Sequence, residues 1–216
     1  MKKIFVLLLT ACVLFGSVAA FSGCSSKAPS VEEIYDRAVE LIEASYAINT
    51  VFYGAGMPVY KTDSAYAEFT YLYFGSQYAG EYEIVKDFSA FSSVDAFKAA
   101  ANKVYSTAYL EDVLYPYAFE GHMIGNGIGG AVMFDARYIE EDGVLYQSTD
   151  SGYDLMQNRG RCIYDYSTMT VVSPSNETMC FLEIASWPEG SPDQISVNEV
   201  RLVLQDGEWF LDSFTG

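Results

Sequence analysis

Between Val31 and Tyr46, apolar residues fall at 31, 34, 35, 38, 41, 42 and 46, the three-and-four spacing of one helical face. Acids at 33, 36, 40 and 43 form the opposite stripe, which reads as a solvated face rather than a binding site. Ser30-Val31-Glu32-Glu33 has the form of a capping box, with Ser30 as N-cap and Glu33 at the third helical position. The pattern predicts a helix from 31 to about 48, broken by Gly54 to Pro58. Val94, Phe97, Ala101, Val104 and Tyr105 mark a second helix opened by Ser92 or Ser93. Thr107 caps a short third one that runs to about Tyr115 and stops at Pro116. Alternating patterns predict strands at 65–74 and 81–86, then at 131–139, 144–148, 161–172, 177–186, 195–205 and 208–214. Asp142-Gly143 and Asp206-Gly207 are hairpin turn pairs. Helices early and antiparallel strands late predict an α+β fold, N-terminal helices followed by a curved antiparallel sheet. No internal repeat or low-complexity segment interrupts it.

The first thirty residues follow a different pattern. Lys2 and Lys3 precede an almost unbroken apolar run from Ile4 to Phe15, and Ser17 to Ala20 is small and apolar. That is the layout of an export signal, and its length also admits a retained helical anchor. Phe21-Ser22-Gly23-Cys24 resembles the lipobox of bacterial lipoproteins, with Phe21 where Leu is usual. The resemblance implies cleavage before Cys24 and a diacylglyceryl group on its sulfur. Two acyl chains hold a protein stably where one holds it marginally. The expected organisation is a signal peptide over 1–23, a tether over 24–30 and an α+β domain over 31–216, as one body or two lobes. The tether reaches about 25 Å at most. The expected place is the extracytoplasmic side of the cell membrane.

Charge narrows the partners. The chain of 216 residues has 12 Lys and Arg against 29 Asp and Glu, a net charge of −17. Losing Lys2 and Lys3 with the signal takes it to −19. Such a balance excludes generic binding to nucleic acid and to anionic lipid surfaces. Removal of residues 1–23 still leaves a chain long enough to bury a real core.

Four cysteines are present. Cys12 leaves with the signal and Cys24 takes the lipid, so Cys162 and Cys180 remain in a compartment that permits disulfides. If 161–172 and 177–186 pair about the turn Ser173-Pro174-Ser175-Asn176, Cys162 faces about position 187 and Cys180 about position 169. At about 3.4 Å per residue they are then more than ~20 Å apart, against a bridging limit of about 7 Å between Cα atoms. Both are expected to be buried free thiols.

Candidate chemistry is sparse. Gly125-Asn126-Gly127-Ile128-Gly129-Gly130 matches GxGxxG, but a helix precedes it and a strand follows, the reverse of a dinucleotide site. It reads as a loop between the helical and strand halves, and His122, the only histidine, as an ordinary loop residue beside it. No GxSxG or HExxH motif occurs. The acids Glu140-Glu141-Asp142 and Asp150…Asp154 flank turns and lack calcium-loop spacing, so no metal and no cofactor is expected. Eighteen tyrosines are present, with Tyr71, Tyr73, Tyr105, Tyr109, Tyr115 and Tyr117 concentrated in the middle third. They suit packing between helix and sheet, and they also suit a sugar- or peptide-binding cleft.

Three stretches together carry a family resemblance. Tyr138-Ile-Glu-Glu-Asp-Gly-Val-Leu-Tyr146 resembles a hairpin of small Firmicute lipoproteins, and Asp206-Gly-Glu-Trp-Phe-Leu-Asp212 their C-terminal hairpin. Phe91-Ser-Ser-Val-Asp-Ala-Phe-Lys98 with Val104-Tyr-Ser106 resembles their central helix. The chain is similar over roughly 31–216 to the family of secreted inhibitors of cell-wall DL-endopeptidases, and has features of the cone-shaped nuclear-transport-factor-two-like fold. The resemblance implies inward packing of Tyr146 and Trp209 and carries over no catalytic residue. It implies a non-catalytic binding protein, in its sharpest form an inhibitor that blocks an endopeptidase cleft. Glu140, Glu141 and Asp142 are the candidate partner-binding residues, with a cell-wall endopeptidase or a peptidoglycan-related ligand as partner. The alternatives are a small-ligand or saccharide receptor with a tyrosine-lined cone, and an enzyme.

Overall fold

The computed structural model describes residues 27–60, 82–86, 89–125, 131–134, 136–148 and 161–216. Helix α1 spans Val31–Phe52. Its capping box forms as read: Glu33 N–H donates to Ser30 Oγ at 3.3 Å and Ser30 N–H to Glu33 Oε2 at 2.7 Å. The Ser30 backbone N–H, and after it the Ser30 hydroxyl, hold the Glu33 carboxyl below its ordinary value. The helix runs past position 48 because Ile48, Val51 and Phe52 continue its buried face. It ends where Gly54 N–H turns back to Asn49 O and Gly56 takes φ 81°, a left-handed conformation. Tyr35, on the apolar side by spacing, is exposed.

Strand β1 (Tyr82–Ile84) comes next among the described residues, within the predicted 81–86; the predicted strand 65–74 lies outside them. Helix α2 (Val94–Ala101) starts at Ser93, whose Oγ accepts from Ala96 N–H at 3.0 Å. It is shorter than its spacing suggests, because Val104 and Tyr105 leave the helix for a bridge to Leu211. Helix α3 (Thr107–Tyr109) passes into wider π-type turns at Leu110–Leu114 and Pro116–Glu120. Pro116 does not stop the segment. It follows Tyr115, itself in helical conformation and bonded back to Leu110 O, so the run passes through Pro116 into the second stretch.

The strands are β2 (His122–Gly125), β3 (Ala131–Phe134), β4 (Tyr138–Glu141), β5 (Val144–Ser148), β6 (Cys162–Val172), β7 (Met179–Pro188), β8 (Ser196–Gln205) and β9 (Glu208–Leu211). They form antiparallel sheets of order β1-β5-β4, β2-β3 and β6-β7-β8-β9. The α+β class therefore holds. The predicted strand 131–139 is divided, its first part pairing with β2 and its last with β5. His122 lies in β2 opposite Phe134 and not in a loop, and the glycine-rich segment joins two paired strands. Both Asp-Gly turns form as read, with Asp142 and Asp206 at φ 52° and 54° ahead of Gly143 and Gly207 at φ 76° and 87°.

The core lies between the apolar stripe of α1 and the inner face of the four-stranded sheet. Ile34, Leu41, Ile48 and Phe52 from the helix join Leu182, Ile184, Leu202 and Leu211 from the strands. Burial of each such side chain contributes about 1.5–3 kcal/mol. Phe97 of α2 closes one end, its ring edge-on to Phe52 with centroids 4.3 Å apart.

Candidate functional site

The acidic turn is the site the sequence points to. Glu140 and Glu141 end β4, opposite Leu145 and Val144, and all three acids are exposed. They do not have one role. Glu140 Oε2 accepts the Val94 N–H of α2 at 2.8 Å, so it acts beside Ser93 as a second cap on that helix. Asp142 supplies the left-handed turn residue. Glu141 is the acid with no packing role here, and the turn offers its charge and that of Asp142 to solvent.

Behind this hairpin the chain ties off the end of α1. Helix α1 has no basic residue in its last turn, and Arg137, just before β4, takes that place. The Arg137 guanidinium donates to Phe52 O and, at 2.7 Å, to Gly54 O. The Tyr138 hydroxyl lies 2.8 Å from Val51 O and 2.9 Å from Gln147 Oε1, which also accepts Met57 N–H at 2.6 Å. Burial pushes the Tyr138 phenol up to about 12, with Arg137 acting in the opposite sense.

The tyrosines of the middle third divide between core and margin. Tyr71 and Tyr73 lie outside the described residues. Tyr105 is buried and its hydroxyl donates to Asn49 Oδ1 at 2.6 Å. Asn49 in turn donates to Thr215 O at 2.7 Å, and Thr215 Oγ1 lies 2.6 Å from Ser45 Oγ. This network fastens the C-terminal residues under α1. Tyr109 stacks on Tyr105 at 5.0 Å, and burial raises the phenols of both. Tyr115 is half-buried, bonded to Asn102 Oδ1 at 3.1 Å and covered by the Lys98 ammonium. Tyr105, Tyr109 and Tyr115 thus pack in or against the core, and the Tyr117 ring lies 6.3 Å from that of Tyr53.

The cysteines are both free. Cys180 is buried, and burial pushes its thiol up. Cys162 is only half-buried, which corrects the expectation for it: Asn198 Nδ2 lies 3.5 Å from its sulfur. It faces Pro188, one residue from the expected position. The register near Cys180 departs further, because five steps along β6 from Asp165 to Thr170 match two along β7 from Ala185 to Glu183.

The three stretches that carry the family resemblance meet in space. Leu211 N–H donates to Val104 O at 2.9 Å and Ser106 N–H to Leu211 O at 2.8 Å. Asp212 accepts from the Ser106 hydroxyl and pairs with Arg201 Nε at 2.8 Å. Ser106 Oγ also accepts Tyr109 N–H, capping α3. Tyr146 is fully buried and Trp209 half-buried against the core. Arg137 and Asn49, the residues that join these elements, stand out by nothing in the sequence except polarity amid apolar neighbours. The acidic stripe of α1 is also partly engaged: Glu40 pairs with Arg37, and Glu43 with Arg161 and Tyr166.

Among the described residues no group of three or more His, Cys, Asp or Glu is placed to hold a metal, and no helix is long and apolar enough to cross a membrane. No protein-family model matches the chain, and no curated protein matches it.

Proposed function

We propose that the chain is a protein lipid-anchored to the extracytoplasmic side of the cell membrane that acts by binding a partner and not by catalysis. Its sharpest form is an inhibitor of a cell-wall endopeptidase. The supporting observation is the employment of its polar side chains. Asp212, Arg137, Asn49 and Glu140 join one element to another, and among the described residues Glu141 and Asp142 are carboxylates exposed at the turn for a partner to meet. Charge of that kind steers encounter and is screened over about 10 Å at 0.1 M salt. Lipid on Cys24 would keep this surface near the wall.

The test is capture from cell-envelope extract by the full chain in detergent. Replacing Glu140 and Glu141 with Gln and Asp142 with Asn should weaken capture and make the remainder less sensitive to salt, while His122→Ala should leave it intact. Unchanged capture by the acid variant would remove the physical support for the inhibitor reading. Loss of the envelope phenotype in a folded His122→Ala protein would revive an enzyme.

A further inference from the structure

The β8 strand is covered along only part of its outer edge. Strand β9 pairs with Leu202 to Gln205, and Asp212 N–H reaches back to Arg201 O at 2.8 Å. Beyond that point β8 continues to Ser196 with β7 on one side. The two-residue turn at Asp206-Gly207 makes Gln205 and Glu208 a hydrogen-bonded pair, so the odd-numbered residues of β8 point their backbone groups toward the β9 side. Leu204 N–H, of the even set, bonds Thr178 O on the β7 side and agrees with this. The N–H and C=O of Val197 and Glu199 therefore face away from β7, and no described residue receives them. Arg201 shows what such groups take when covered: its N–H goes to Ser213 Oγ and its C=O to Asp212.

The side chains at this edge are as uncovered as the backbone. Ile195 is 66% and Val197 65% exposed, the most exposed large apolar side chains among the described residues. Glu199 stands directly across from Glu183 of β7, and both are exposed. Like charges directly opposite destabilise a sheet unless a cation lies between them. The opposite margin of the sheet, β6, has instead the device that blunts an edge, an irregularity between Asp165 and Thr170 that carries Ser167 and Thr168.

We propose that the edge from Ile195 to Glu199 adds a strand from a foreign, basic protein segment. The backbone groups of Val197 and Glu199 call for an extended chain. Val197 calls for an apolar residue opposite it, and Glu199 with Glu183 for Lys or Arg two positions away on the same face. A second copy of this chain is disfavoured by its charge of −17. The proposal rests on the binding reading and names its partner class.

The test uses the full chain in detergent and the blocked peptide acetyl-Thr-Lys-Thr-Val-Thr-Lys-Thr-amide, which presents the apolar and basic positions in either strand direction. Saturable binding with slowed hydrogen exchange at Val197 and Glu199 is expected. N-methylation of both the central Val and the Thr that follows it removes one ladder bond in either strand direction and should weaken binding roughly fivefold or more. Val197→Pro should do the same from the protein side, since its N–H serves no internal bond. Glu183→Gln with Glu199→Gln should weaken binding and flatten its salt dependence. Absence of saturable binding, equal binding of the N-methylated peptide, or protection elsewhere would overturn the proposal. If Val197→Pro fails to fold, the N-methylated peptide on the native protein still decides. The variant of Glu140, Glu141 and Asp142 should bind the peptide normally. Loss of envelope capture in that variant alongside a failed peptide test would sink strand addition and leave the binding reading standing.

Discussion

At the scale of single residues, the buried polar network under α1 is the most exacting feature. Ser45, Asn49 and Thr215 are each at most 4% exposed, and Tyr105 is 1% exposed. A buried donor or acceptor left unsatisfied costs about 1–3 kcal/mol. Asn49→Leu strands both the Tyr105 hydroxyl and Thr215 O, and should lower stability by about 3 kcal/mol in urea unfolding. Tyr105→Phe strands only Asn49 Oδ1 and should cost about half as much. Tyrosine burial also sets an alkaline limit. Tyr53 and Tyr138 are pushed up to about 12 in the folded chain by burial, from an ordinary 10. Below the ordinary value both states hold the proton and the stability is intact. As pH rises from about 10 to about 12 the unfolded chain releases protons the folded chain retains, and stability falls. Tyr138→Phe should make that fall shallower in unfolding followed by fluorescence; an unchanged slope would mean the Tyr138 phenol is not protected. That Tyr105 packs inward was legible in the sequence, but which groups meet its hydroxyl was not, because that depends on which other element lands on it.

At the scale of elements, capping was read well when its partners were near in sequence and missed when they were distant. Ser30 and Glu33 are three residues apart, so the box follows from the string alone. Glu140 caps α2 from forty-six residues away, and Arg137 caps α1 from eighty-three to eighty-five. Glu140→Ala should destabilise the protein by about 1 kcal/mol, the usual worth of a helix cap. Glu140→Gln keeps an acceptor and should cost only a few tenths. Thermal unfolding of the two separates the structural role of this residue from any role in binding. Gly56→Ala should be worse than either. Gly56 has φ 81°, and an added Cβ would come 2.3 Å from Gln147 Oε1, the atom that holds Met57 N–H and Tyr138. Pro116 teaches the same lesson in reverse: a local stop signal was overridden because the following turns bury Ala118 and pack Phe119 against the core.

At the scale of the molecule, the proposed anchor and the charge would together set where the domain works. Cys24→Ser should release the protein from the membrane fraction and abolish acyl labelling. Retention without label would mean that the apolar leader stays as a helix. Alkylation without reductant should modify Cys162 in the folded protein and Cys180 only after unfolding, since one sulfur is half-buried and the other fully buried. The sequence by itself determined the α+β class, the start of α1, both Asp-Gly hairpins, the free state of Cys162 and Cys180 and the strongly acidic charge. Each depends on residues close together in the chain or on simple composition. Only the tertiary structure decided that Glu140 is partly a helix cap, that His122 pairs in a strand, that the family-like stretches dock on one another, and that β8 keeps an open edge. Those facts turn on which distant segment covers which backbone group. The hydrophobic pattern specifies that a face must be covered, and the packing of the whole chain specifies by what.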